Sequence, residues 1–239
     1  MKKFTILLFV FNTLLLSNEC VGQKSNADKK YTFKKGDDNG IGKWYMEREI
    51  AYVMGYQGID WLERPERENE ENVSNLIQNM GIKSNDIIAD IGAGSGYHVF
   101  RMAPLAEKGL IYAVDIQGEM LMAIEKTKES FEIRNIEIIL GGEKSIHLPK
   151  NSVDKILMVD VYHEFNFPVE IIASMKNVLK SNGQLFLIEY RGEDSKVPIK
   201  KIHKMTEKQA VKEMEAAGFK LKENLDNLPW QHCMVFVKK

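Results

Sequence analysis

The chain predicts an α/β fold around a parallel sheet, and three observations carry that reading. Short apolar runs rich in β-branched residues, such as Asp86-Ile87-Ile88-Ala89 and Leu110-Ile111-Tyr112-Ala113-Val114, match strands buried on both faces. Stretches with helical apolar spacing follow them, the alternation of α/β domains. At the first junction stand Gly92, Gly94 and Gly96, a strand-to-helix turn where absent side chains let a ligand approach backbone N–H groups. With 44% hydrophobic residues over 239, one sizeable core can be buried.

Residues 1–22 read as a secretory signal peptide. Lys2 and Lys3 precede an apolar run, Phe4 to Leu16, whose roughly 20 Å as a helix falls short of the ~30 Å core of a bilayer. Cys20 and Gly22 place cleavage before Gln23, and Glu19 is the wrong neighbour for a lipoprotein cysteine. The expected location is periplasmic or secreted, with a membrane anchor through an uncleaved N-terminus as the alternative; no stable span is expected after cleavage. Residues 23–64 form an N-terminal extension, expected to be helical. Its aromatics Trp44, Tyr45, Tyr52, Tyr56 and Trp61 are read as core anchors, with a roof over a pocket as the alternative. Residues 65–239 form the main domain, opening with a helix near Pro65 whose Glu-rich first turn suits the helix dipole.

The segment Asp90-Ile91-Gly92-Ala93-Gly94-Ser95-Gly96 then selects a ligand class. A dinucleotide motif, GxGxxG, would place its last glycine at Tyr97, where a bulky ring fits poorly. Asp90 disfavours a phosphate and suits a ligand carrying an ammonium group, as S-adenosylmethionine does. On these residues the chain resembles class I, Rossmann-like S-adenosylmethionine-dependent methyltransferases, whose first motif is [DE]xGxGxG. The likeness runs over roughly residues 65–239. It implies a seven-stranded, mostly parallel sheet with helices on both faces and an antiparallel last strand. It also implies S-adenosylmethionine as cofactor, bound at Asp90, Gly92, Ala93, Gly94, Ser95 and Gly96.

Tyr97 to Lys108 is the first predicted helix of the sheet, and Asp115 ends the strand after it. A carboxylate there can accept both ribose hydroxyl protons, so Asp115 and the adjoining Ile116 are cofactor candidates, although NAD sites share this feature. Ile136 to Leu140 is the third strand, followed by Gly141-Gly142-Glu143. The resemblance makes Gly142 and Glu143 candidates for the adenine edge. Asp154 marks the entry to the fourth strand, Ile156 to Val159.

Asp160-Val161-Tyr162-His163-Glu164-Phe165 follows that strand and is the densest collection of polar chemistry in the chain. Ligands of open α/β sheets bind outside the carboxyl ends of strands, where strand order reverses. Asp160 and Val161 are therefore expected to line the cofactor site. His163 is the candidate catalytic base, its ordinary pKa lying near 6.5. Tyr162 and Glu164 are candidates to orient a substrate, and Tyr162 could lend a ring face to a cation.

Val169 to Lys180 has helical spacing with Pro168 in its first turn, and Ser181-Asn182-Gly183 breaks it before the strand Gln184 to Tyr190. The charge-rich segment Arg191 to Lys204 is read as a solvated connection, with a lid as the alternative. Thr206 and Gln209 form a capping box, Gly218 stops that helix, and Phe219–Leu225 and Met234–Val237 supply the last two strands.

Composition narrows the function. Net charge is −1 and no basic block is interleaved with aromatics, so a nucleic-acid partner is not expected. Only Cys20 and Cys233 occur, and His163, His203 and His232 lack metal-ligand spacing, so a metal is not implied. The expected activity is methyl transfer to a small-molecule acceptor. Because this cofactor is made in the cytoplasm, export favours as the alternative a binding module that keeps the pocket without turnover.

Overall fold

The computed structural model describes residues 30–239. The predicted signal peptide lies outside the described residues, as do residues 23–29 of the extension. From Tyr31 the extension departs from the helical expectation. It opens with an antiparallel sheet of β1 (Tyr31–Phe33), β2 (Gly40–Tyr45) and β3 (Arg48–Ala51). Met46 and Glu47 make the two-residue hairpin turn between β2 and β3 with φ of 47° and 75°, a conformation that matches the twist of paired strands. Tyr45, Ile50 and Ala51 of this sheet are buried. Helical structure begins only with a 3-10 turn at Tyr56–Gly58. It continues through α1 (Ile59–Leu62), α2 (Arg67–Glu71) and α3 (Val73–Asn79).

The main domain follows in the expected alternation. β4 (Ile87–Ile91) leads into α4 (Val99–Met102), β5 (Leu110–Asp115), α5 (Gly118–Ser130), β6 (Ile136–Leu140) and β7 (Val153–Val159). Then come α6 (Pro168–Val178), β8 (Leu179–Tyr190), α7 (Glu207–Ala216), β9 (Phe219–Asn224) and β10 (Gln231–Lys238). The sheet order is β6-β5-β4-β7-β8-β10-β9, with β10 antiparallel to both neighbours and β4, β5, β6, β7 and β8 parallel. Two lengths differ from expectation. The helix after the glycines is a single turn, because Pro104 has no N–H to continue it. Ser181-Asn182-Gly183 does not separate helix from strand. Val153 pairs with Leu179 and Lys155 with Gln184, so residues 180–183 are taken up as a bulge inside β8.

The sheet is buried on both faces, which explains its continuous apolar runs. Ile88 packs with Val99, Met102, Ile124 and Phe186 on one face, while Ala89 next to it packs with Ile156, Ile172, Met175 and Leu187 on the other. Chain order reverses between β4 and β7, so their carboxyl ends diverge into a crevice. The extension closes this crevice from above.

Candidate active site

The glycine loop leaves β4 with Gly92, Gly94 and Gly96 all at positive φ, 74°, 55° and 86°. A side chain there would be strained by the backbone and would also collide. A Cβ on Gly92 would lie 2.5 Å from Val161 Cγ2, and one on Gly96 2.7 Å from the Phe100 ring. Over Gly94 sits Leu62 of α1. Ser95 hydrogen-bonds Glu63 beside that helix. Thus Ala93, Ser95 and Gly96 shape the loop, while Gly92 and Gly94 reach the wall of a cavity of about 590 Å³.

Asp115 ends β5 on the same wall. Its Oδ2 accepts from Gly94 N at 2.9 Å and its Oδ1 from Gln117 N at 2.9 Å, and it is only 6% exposed. Burial raises its pKa against these backbone donors, which pull the other way. Ile116, half exposed, projects beside it. Gly142 and Glu143 line the cavity farther along, where Glu143 Oε1 accepts from Asn166 Nδ2 at 2.9 Å.

Two aspartates carry buried oxygens without a hydrogen-bond partner, Asp90 Oδ2 and Asp160 Oδ1. Burial lifts Asp90 to about 7, with Arg67 opposing and Asp115 adding to the shift. Asp160 is also raised by burial and by Glu71 and Glu189. Only Asp160 lines the cavity, so Asp90 stands behind the wall rather than at the mouth of the loop. Asp160 keeps φ at 50°, its N–H bonded to Ile188 O and its Oδ2 accepting from Gln231 Nε2 at 2.5 Å. Val161 borders both Gly92 and the cavity.

Opposite these acids, α2 presents a buried ionic group. Glu71 accepts from Arg64 at 2.5 Å, Arg67 at 2.7 Å and the Tyr190 hydroxyl at 2.8 Å. All four residues line the cavity. Arg64 and Arg67, held in place by Glu70 and Glu71, with Asp160 and its unpartnered Oδ1 in the same wall, fit an amino-acid moiety, with carboxylate and ammonium on one carbon. The apolar stretch of Ile91, Val114, Ile116 and Met120 fits a nucleoside beside it. The residues present therefore suit S-adenosylmethionine.

The 3-10 turn Tyr162–Glu164 divides the remaining predicted residues between two environments. Tyr162 does not reach the cavity. It is fully buried, donates to Glu213 Oε2 at 2.6 Å and stacks under the Arg48 guanidinium, so its ring meets an internal cation rather than a ligand. His163 and Glu164 do line the cavity. His163 Nδ1 lies 2.7 Å from Oε2 of Glu189, which is completely buried in β8. Burial pushes the imidazole down, but the charge and hydrogen bond of Glu189, with Glu164, outweigh it and raise the pKa. Burial raises Glu164 to about 7 against the pull of His163 and of the Met54 N–H.

His203, expected in a solvated connection, is the neighbour that closes this end. Its Nδ1 lies 3.1 Å from His163 Nε2, and burial with His163 lowers its pKa to about 4. Pro198, Ile199 and Lys200 join it in the cavity wall, so this part of the Arg191–Lys204 segment is not a solvated connection. Histidines without metal-ligand spacing along the chain are thus adjacent in space, with Glu164 beside them. Tyr52 and Trp61 also line the cavity, whereas Tyr45 is core, so the extension's aromatics split between the two expected roles. Sequence reasoning missed Arg64, Arg67, Glu71 and Glu189. Of these, Glu189 had a visible signal, a lone acid in the apolar run Leu185-Phe186-Leu187-Ile188.

A family model described as Methyltransferase domain matches residues 82–232. The chain is 30% identical over 105 residues to a ubiquinone/menaquinone biosynthesis C-methyltransferase of Wigglesworthia glossinidia brevipalpis, covering 43% of this chain and 42% of that one. It is 28% identical over 101 residues to a tRNA U34 carboxymethyltransferase of Desulfotalea psychrophila, covering 42% and 31%. The chain thus spans less than half the length of these curated relatives. Among solved structures, a SAM-dependent methyltransferase from Aquifex aeolicus superposes with a TM-score of 0.73 at 23% identity, covering 77% of this chain and 98% of that one, which shows the shared fold.

Proposed function

The chain belongs to the methyltransferase domain family, with S-adenosylmethionine as its cofactor, and we propose that it transfers the cofactor's methyl group to a small-molecule acceptor. One observation carries this reading. A single cavity joins the glycine loop and Asp115 at one end to His163, Glu164 and His203 at the other.

When bound, the cofactor supplies an electrophilic methyl on a sulfonium. The chain's own part is binding, orientation and exclusion of water. Asp115 receives the ribose hydroxyls on the lone pairs that Gly94 and Gln117 leave free. Gly92, Gly94 and Ile116 seat the nucleoside, and Gly142 with Glu143 borders its base. Asp160 meets the ammonium, and Arg64 and Arg67 meet the carboxylate. His163 and Glu164 act on the acceptor, and Tyr162 positions their turn through Glu213. Holding donor and acceptor in line supplies most of the rate gain such a reaction needs.

The acceptor is taken to be small because the extension and the 198–203 segment both wall the cavity. Among the described residues no helix is long and apolar enough to cross a membrane. We further infer from Lys2, Lys3 and the run Phe4–Leu16 that the chain is exported and processed before Gln23. Calorimetric titration with S-adenosylmethionine, paired with S-adenosylhomocysteine release over a panel of hydroxyl, amine and thiol acceptors, tests the activity. Saturable binding with release on at least one acceptor is expected. Absent binding would sink the reading, and tight binding without release on any acceptor would leave a binding module instead.

A further inference from the structure

We propose that His163, Glu164 and His203 form a site for a divalent first-row transition metal at the acceptor end of the cavity. His163 Nε2 and His203 Nδ1 are 3.1 Å apart, and Glu164 Oε1 lies 3.7 Å from the first and 3.9 Å from the second. Three atoms at these separations lie on a circle of about 2.1 Å radius. A cation at its centre would stand at normal metal-to-imidazole and metal-to-carboxylate distance from all three.

The carboxylate oxygen is the informative atom. Glu164 Oε2 is held by the Met54 N–H at 3.2 Å, whereas no hydrogen bond from the described residues reaches Oε1. At 3.7 and 3.9 Å it is too far from either ring to be a hydrogen-bond acceptor, and it is well placed to share a cation with both.

The surroundings have the form that metal ligands need. His163 presents Nε2 to the cluster because Nδ1 is fixed on the buried Glu189 carboxylate at 2.7 Å, the carboxylate–histidine–metal arrangement that sets tautomer and ring orientation. The ligands come from two 3-10 turns, Tyr162–Glu164 after β7 and Lys201–His203. Two imidazoles and one carboxylate on one face suit zinc, iron(II) or a neighbouring metal better than calcium or magnesium, which prefer all-oxygen sites.

All three residues line the cavity, so the coordination positions they leave open face the acceptor. On the methyl-transfer reading above, the acceptor class is then a small molecule with an oxygen that can enter an open position. The metal site itself does not depend on that reading.

The test uses the full chain, stripped with a chelator and titrated with cobalt(II), whose visible ligand-field bands report nitrogen and oxygen ligation. S-adenosylmethionine binding is measured on the same samples. One cobalt per chain is expected, with at least tenfold weaker uptake in His203→Ala and Glu164→Gln and unchanged uptake in a His147→Ala control. Each variant is expected to keep the wild-type far-ultraviolet spectrum and cofactor affinity. His203→Asn, at a part-exposed position, gives a second probe should an alanine disturb the turn. No saturable uptake by the wild type overturns the site, as does unchanged uptake in a His203→Asn, Glu164→Gln double variant. Cobalt binding without S-adenosylmethionine binding would remove the methyl-transfer reading and leave the metal site standing.

Discussion

Gly94 donates its backbone N–H to Asp115 Oδ2 at 2.9 Å, tying the loop after β4 to the end of β5. The same carboxylate is therefore a loop anchor and, in the proposed complex, a ribose acceptor. Asp115→Ala is expected to weaken S-adenosylmethionine binding by about 1–3 kcal/mol, the usual cost of losing charged hydrogen bonds. Calorimetry checks this, and unchanged affinity would take Asp115 out of the ribose role.

The glycines of the loop should differ from glycines elsewhere in what a methyl group does to them. Gly81 has φ of 53° but nothing within 4 Å of a built Cβ, so Gly81→Ala should cost only the left-handed strain, about 1–2 kcal/mol. Gly92→Ala adds a collision with Val161 Cγ2 at 2.5 Å and should cost more. Urea unfolding of both variants gives the comparison. Equal losses would mean that Val161 moves freely aside.

The contrast between these glycines also shows what the chain makes legible. Strands buried on both faces announce themselves as apolar runs, and alternate glycines announce a turn needing positive φ, so the sheet and the cofactor end were readable. His203 was not, because it comes to His163 only through the placement of β8 and the segment after it, forty residues downstream. The β2–β3 hairpin was hidden for a different reason. Its turn, Met46-Glu47, adopts positive φ without the Asn or Gly that normally signals it. The i,i+4 spacing of Arg67 and Glu71 is in the sequence, but their burial is not, because it depends on Tyr190 of β8 being brought against Glu71.

Asp90 gives a pH dependence whose sign follows from its raised pKa. The folded carboxyl titrates near 7 and its ordinary value is 3.8. Between about pH 4 and 7 the folded chain therefore keeps a proton that the unfolded chain has lost, so Asp90 costs stability as pH rises through that window. Above pH 7 the full penalty is present, with Arg67 opposing it and Asp115 adding to it. Asp90→Asn should remove the penalty. Its stability relative to wild type, by urea unfolding, should be greater at pH 8 than at pH 5. A constant difference across that range would refute the assignment.

Glu71 is the shared partner of Arg64, Arg67 and Tyr190, and it is 1% exposed. Removing its charge leaves Arg67 without its carboxylate partner and Arg64 with only Glu70. Glu71→Ala should therefore destabilise the fold by about 3–5 kcal/mol, the range for breaking a buried ion pair on one side. Thermal and urea unfolding measure it. A loss below about 1 kcal/mol would show that water already screens this group.

Glu189 hydrogen-bonds His163 at the far end of the cavity without lining the cavity itself, and that separates it from direct contact with the cofactor. It touches Nδ1 at 2.7 Å and the His163 backbone N–H at 3.2 Å, and it is not among the residues that line the cavity. Glu189→Gln keeps the shape but lets go of the charge that orients the ring. Turnover should fall about 10–100-fold, as when an outer partner of a ligating or catalytic histidine is changed, while S-adenosylmethionine affinity stays near wild type. His163→Ala should fall at least as far in kcat, again with the cofactor still bound. If the two substitutions combined lower kcat no further than His163→Ala alone, Glu189 acts through His163. Fully additive losses would instead give Glu189 a separate role in the fold of β8.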